Sequence, residues 1–243
     1  MTFVLRLLFV PLLLGTLSLF FLTDHSLAAK SRPEAIKADT AFACGTDHLH
    51  VTALRENAAY RQRHEAMEAA LLQRGAQKRG APADYVLPVV VHIIHQNGAE
   101  NISDAQALAA IEHLNQSYAN QGYYDQGTGV NTQIQFCLAK RNPDGQATTG
   151  ITRVESPLTE MTLETDDIPL KDLDRWAPTQ YINVWLVREI CSLSSGCGVA
   201  GYAYLPSAHG MPMDGIVMEA EYFGSSEAAS TVLTHEMGHY LGL

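Results

Sequence analysis

The stretch His235-Glu236-Met237-Gly238-His239, followed by Tyr240-Leu241-Gly242-Leu243, places the tightest demand on how this 243-residue chain folds. Two histidines four apart share one face only on an α-helix, at 3.6 residues per turn, and both imidazoles then reach one metal ion. Glu236 lies one step round, beside that face. In this H-E-x-x-H spacing two histidines hold zinc and the glutamate is the general base towards a water that the metal activates. The bland alternative is a helix that happens to carry His at i and i+4. Gly242 argues against it, because in the longer pattern H-E-x-x-H-x-x-G-x-x-H the glycine ends the helix and turns the chain towards a third histidine. The sequence closes at Leu243, before that third ligand.

A net charge of −10, from 16 Lys+Arg against 26 Asp+Glu, argues against nucleic acid or an anionic membrane as the main partner. The length suits one catalytic domain with a smaller N-terminal region. Residues 5–22 form the one long apolar run, interrupted by Arg6 and Pro11 and followed by Ser26-Leu27-Ala28-Ala29. This reads as a secretory signal over residues 1–29, cleaved near Ala28; the competing reading is an uncleaved anchor. Cleavage implies a secreted, extracellular protein with no stable membrane association. The four cysteines, Cys44, Cys137, Cys191 and Cys197, all follow the signal and would meet an oxidising compartment. Cys191 and Cys197 bracket a short Ser-Leu-Ser-Ser-Gly loop and are the expected disulfide, while Cys44 and Cys137 are left open.

Along the chain, residues 51–73 predict one exposed helix, closed by the basic, Gly- and Pro-bearing linker Arg74 to Pro82. A domain boundary falls there, giving a segment 30–80 and a domain 81–243, and the linker reads as a processing site. Val86 to His95 is a β-branched run that predicts a buried strand. His92 and His95, three apart on it, face opposite ways and read as structural. Ser103 to Tyr118 predicts a helix with a Ser103/Gln106 capping box and an apolar stripe of Leu108, Ile111, Leu114 and Tyr118. Residues 131–139 alternate as a strand, 150–154 resume the sheet, and 181–187 give the strongest interior strand pattern. The acidic residues of 159–175 read as a solvated segment, since a calcium site lacks regular ligand spacing there. Gly201-Tyr202-Ala203-Tyr204-Leu205-Pro206 predicts a short strand stopped by proline, in keeping with a sheet edge. Asp214 to Met218 is a further strand, and the final helix turns Val232, Leu233, Met237 and Leu241 inward.

Several of these stretches, taken in order over residues 85–243, resemble the pappalysin-type metzincins. They are Pro88-Val89-Val90-Val91-His92-Ile93-Ile94-His95, Phe136-Cys137-Leu138-Ala139, Thr149-Gly150-Ile151-Thr152-Arg153, Tyr181-Ile182-Asn183-Val184-Trp185, Gly201 to Pro206, Asp214-Gly215 and Leu233 to Leu243. The resemblance implies an α+β fold, the upper subdomain of a zinc endopeptidase: a twisted mixed sheet backed by helices, with the zinc-binding helix at its C-terminal end. It implies zinc on His235 and His239, Glu236 as general base, and a protein or peptide substrate aligned antiparallel to an edge strand at Gly201, Tyr202, Ala203 and Tyr204. It also gives Cys44 two readings. Cys44-Gly45-Thr46-Asp47 resembles the Cys-Gly-Thr found ahead of such domains, so Cys44 is a latency switch on the zinc, with Asp47 the weaker candidate; the alternative is a disulfide to Cys137.

The third histidine, the lower subdomain and the methionine turn of that family are not in the sequence, which therefore reads as a C-terminally truncated peptidase. The competing function is a non-catalytic secreted interaction domain that keeps the fold. The retained Glu236 favours the enzyme, since a binding module has no use for a general base there.

Overall fold

The computed structural model describes residues 43–74 and 84–243. Residues 1–29, read above as a signal, most of the stretch before Cys44 and the residues expected as a linker after Arg74 lie outside the described residues. The described chain opens with the two-residue strand β1 (Ala43–Cys44) and two helices, α1 (Thr46–Glu56) and α2 (Ala58–Arg74). Strand β2 (Tyr85–His95) and helix α3 (Asp104–Tyr118) follow, then β3 (Ile134–Leu138), β4 (Ile151–Glu155) and β5 (Glu160–Thr162). Helix α4 (Leu163–Lys171) leads to β6 (Ile182–Val187), β7 (Glu189–Ser192), β8 (Gly196–Cys197), β9 (Val199–Ala203), β10 (Ile216–Glu219) and the final helix α5 (Thr231–Leu241).

The main sheet runs β1-β9-β10-β6-β2-β3, and β4 pairs with the later half of β2. Every pairing is parallel except β9 with β10. Period-2 alternation along β2 sorts its side chains between two cores. Val89, Val91 and Ile93 join α3 and α5, with Leu114, Met237 and Val232, on one face. Ile94 points to the other, where Trp185, Tyr202 and Leu170 meet Leu49, Ala53 and Tyr60 of α1 and α2. A sheet buried on both faces needs near-continuous apolar strands, and Ile182–Val187 is buried at every position.

Four expectations are corrected. The single exposed helix over 51–73 is two, because Asn57 breaks it: its amide still bonds to Ala53 O at 2.9 Å, but its side chain caps the next helix by accepting from Tyr60 N at 3.0 Å. Most of 51–73 is exposed as expected, with Ala53 and Tyr60 its buried positions. On α3 the buried face is Ala107, Ala110, Ile111, Leu114 and Tyr118, whereas Leu108 is 55% exposed. Small alanines let this helix lie close to the sheet. Ser103 caps α3, but Gln106 does not reciprocate; its amide donates to Phe223 O at 2.9 Å.

The acidic stretch 159–175 is the fourth correction: it is folded as β5 and α4 with its carboxylates partnered, although Glu160 and Asp172 remain exposed as expected. Asp167 and Lys171 form a buried ion pair at 2.7 Å, Asp166 accepts from Thr162 N, Glu160 pairs with Arg188, Asp172 with Arg175, and Asp174 with His92. His92 itself stacks on Trp185 and bonds to Thr152 and Asn183, a structural role. The Cys191–Cys197 disulfide is formed across β7 and β8.

Candidate metal centre

The centre is built from two ends of the chain. Helix α5 presents His235 and His239 on one face, with Nε2 atoms 3.0 Å apart. It is held by Val232, Leu233 and Met237 in the core and closed by Gly242 in the left-handed conformation, at φ 75°. Leu243 N bonds to Gly238 O and Gly242 N to His239 O, the paired bonds of a Schellman cap. Such a turn requires a residue free of Cβ strain, which is why glycine stands there.

Glu236 points the other way from solvent, at 1% exposure, towards β9. Gly201 makes the approach possible: a Cβ there would lie 3.1 Å from Glu236 Cγ. Burial pushes the Glu236 carboxyl up to about 7, opposed by hydrogen bonds from Cys44 and Thr46. His239 is held below its ordinary value by burial and by His235 beside it, with Asp47 acting the other way.

The other end is the segment around β1. It pairs parallel to β9, Ala43 opposite Val199 and Cys44 opposite Gly201, and Gly45 N continues the ladder to Gly201 O at 3.0 Å. The strand expected at the sheet edge, Gly201 to Tyr204, is therefore observed as β9 plus the residue after it, with its outer side covered by the chain's own N-terminal segment. Its direction, parallel to β9, is opposite to that expected of a substrate. Cys44 Sγ comes to 3.6 Å from His239 Nε2 and 3.8 Å from Glu236 Oε2. Burial, then the charge on Glu236, push its thiol up to about 11.

One ligand-capable atom from each of Cys44, His235, Glu236 and His239 lies within 4.8 Å of the others. Two imidazoles with a cysteine sulfur and a neighbouring carboxylate are the donor types that zinc takes. Asp47 is outside this group. Cys137 lies on β3, at the opposite end of the sheet from β1. Five strand spacings of ~4.8 Å separate them, far beyond the reach of a disulfide, so the Cys44–Cys137 alternative is corrected.

Thr46 was not singled out by sequence reasoning. It is buried; its hydroxyl donates to Glu236 Oε2 at 3.3 Å and accepts from Ala203 N at 3.0 Å, tying the segment to both α5 and β9. The signal available was its place in Cys44-Gly45-Thr46. Beside these residues, a cavity of about 670 Å³ separates α1 from α4, lined by His48, Thr52, Leu163, Glu164, Tyr204 and Met213.

Residues 165–243 match the profile of peptidase family M43, described as pregnancy-associated plasma protein-A. This stretch is thus similar to the pappalysin metallopeptidases. Among solved structures, a mutant of Tannerella forsythia promirolysin is similar to this chain at 29% identity and a TM-score of 0.62, covering 81% of this chain and 67% of that one. Mature mirolysin from the same organism, in complex with a cleaved peptide, gives 31% and 0.56, covering 65% and 63%. Mirolysin in complex with a compound gives 32% and 0.53, with the same coverage. The chain thus spans about two thirds of the proteins it matches. A search of curated protein sequences returns no match. The profile and the mirolysin matches make the chain a metalloendopeptidase by resemblance, and no described helix is long and apolar enough to cross a membrane.

Proposed function

We propose that the chain is a secreted zinc endopeptidase held latent by its own N-terminal segment, with Cys44 as the latency ligand. The observation that carries the reading is the convergence of Cys44, His235 and His239 beside Glu236, with the segment that brings Cys44 lying along β9. Two features support it. The pro form of mirolysin is matched over 81% of this chain and the mature form over 65%, so the additional match has about the size of the N-terminal helices. The apolar run 5–22 with Ala28 behind it supports secretion.

In this reading His235 and His239 hold zinc and the Cys44 thiolate takes a further position. When bound, zinc supplies Lewis acidity towards a peptide carbonyl and towards water. The chain's own residues do the rest. Glu236 takes a proton from the attacking water and later passes it to the leaving amine. Gly201 to Tyr204 offers backbone groups to an extended peptide, as a protein substrate would require. With Thr46 and Cys44 docked, the carboxylate is engaged and the strand edge occupied, so neither is open to a substrate.

Metal content and thiol reactivity test this directly. The purified chain is expected to carry about one zinc by elemental mass spectrometry, lost in His235→Ala and His239→Ala but kept in Glu236→Gln. Cys44 is expected to resist a thiol reagent until EDTA is added. Zinc content unchanged by both histidine substitutions would sink the metal assignment, and Cys44 labelling that ignores EDTA would sink the latency role.

A further inference from the structure

The N-terminal helices are fastened to the domain by histidines that the metal centre does not use. His50 on α1 and His64 on α2 lie edge to face, ring centroids 4.9 Å apart. His50 Nδ1 is 2.8 Å from the Tyr60 hydroxyl, and His64 Nδ1 is 3.2 Å from Ser207 Oγ. Tyr60 is fully buried, and Ser207 sits in the short 3-10 turn Pro206–Ala208 that follows β9. Arg63, beside His64, donates to the His209 carbonyl at 2.8 Å. Two helices and one turn of the domain thus meet through Tyr60, His50, His64 and Ser207.

The charges around the cluster set its response to acid. Burial, and then His64 on α2, hold His50 below its ordinary value, while Asp47 on α1 acts the other way. Arg63 adds a further cation on α2. From the domain, Ser207 offers a hydroxyl, while Asp214 is engaged by His209 and by the Gly210 amide. Protonating both rings sets two cations 4.9 Å apart in this interface. One contact acts the other way: His48 lies 3.2 Å from Glu164 and tightens on protonation.

We propose that His50, His64, Tyr60 and Ser207 form an acid-sensitive latch whose protonation releases α1 and α2, and with them Cys44, from the cleft. The inference deepens the latency reading and rests on it for its consequence, though not for its test. The sign follows from a docked state that holds His50 towards its neutral form: docking is full above the free histidine value of ~6.5 and is lost as pH falls below it.

The test is hydrogen–deuterium exchange of the full chain between pH 7.5 and 4.5, corrected for intrinsic exchange and run in EDTA. Without metal, a failed zinc assignment leaves this result unaffected. Protection over residues 46–74 is expected to fall about tenfold or more between pH 7.5 and 4.5, while residues 182–187 stay protected. The double variant His50→Asn, His64→Asn keeps a hydrogen-bonding group near each Nδ1 but takes no proton, so its release is expected at least about one pH unit lower. Should that variant undock at every pH, His48→Gln decides: losing this acid-strengthened contact is expected to move release to higher pH. Protection of 46–74 that is flat with pH, that falls together with 182–187, or that ignores the substitutions would overturn the latch.

Discussion

Lys171→Met is the substitution that most directly tests how the cleft strand is supported from behind. The ammonium is fully buried, 2.7 Å from Asp167 Oδ1 and 2.6 Å from Met213 O, with the rings of Tyr204, Tyr202 and Trp185 4.8–5.6 Å away. Asp167 in turn accepts from the Tyr202 hydroxyl at 2.8 Å, and Tyr202 belongs to β9. Methionine fills the same space between the rings, so cavity formation contributes little. What is lost is the countercharge. Breaking a buried pair from one side costs about 3–5 kcal/mol, and the orphaned Met213 carbonyl lies within that range rather than adding in full. Burial of the ammonium already opposes its charged form, holding it below its ordinary value, so the pair exists only because Asp167 offsets that cost. Urea unfolding in EDTA, followed by tryptophan fluorescence, should show a midpoint lower by about 2 M, taking ~2 kcal/mol per M for a domain of this size. Adding Asp167→Asn removes the uncompensated charge while keeping an acceptor for Tyr202, and should restore more than half of the loss. A single-mutant cost below about 1 kcal/mol, or a double mutant no more stable than Lys171→Met, would refute the reasoning.

Three further outcomes are expected. Gly201→Ala pushes a methyl to 3.1 Å from both Glu236 Cγ and Met218 Cβ. Overpacking of this kind costs about 1–3 kcal/mol, read as a fall of about 3–10 °C in Tm. Ser103→Ala removes the cap that accepts from Gln106 N and should cost about 1 kcal/mol in the same scan. Glu219 is pushed up to about 7, by burial first and then by Glu221 and Glu189, against the bond from Ile190 N. Its folded value exceeds its free one, so its contribution is full below about pH 4.5 and is lost as pH rises through about 7. Glu219→Gln, which keeps the acceptor for Ile190, should therefore be more stable than the parent at pH 8 and nearly equal to it at pH 5. An unchanged difference between those two pH values would count against the assignment.

The parts of the fold that were legible share a local cause. Helix α5 shows its period through Val232, Leu233 and Met237 and its end through Gly242, both written within a dozen residues. β2 and β6 are β-branched runs buried on both faces, a pattern that needs no partner to be recognised. The failures also have a cause. Ala107 and Ala110 look neutral on a hydropathy scale although they are the close-packed face of α3, while Leu108 looks apolar and faces water. Asn57 carried a legible helix break that the surrounding Ala- and Glu-rich pattern concealed. The acidic residues of 159–175 appear as a charge run because their partners, Arg188, His92 and Ser192 among them, stand elsewhere in the chain. β1, at two residues, has no period at all; it exists because β9 offers an edge.

The contact least accessible to sequence spacing is the one that ties the site together. Thr46 and Glu236 are 190 positions apart, yet the hydroxyl bonds both the carboxylate of α5 and the amide of Ala203 on β9. A buried carboxylate needs donors, and here two of them, Thr46 and Cys44, come from the segment that also covers the strand edge. Gly201 lets the carboxylate approach β9, and the same residue pairs with Cys44 and accepts from Gly45 N. On the proposed reading, occupation of the substrate edge and engagement of the general base are therefore one event, made by residues 44–46. Undocking that segment would expose the edge and return Glu236 to water in the same step, so a latch that acts on α1 and α2 need touch neither the metal ligands nor the base to govern both.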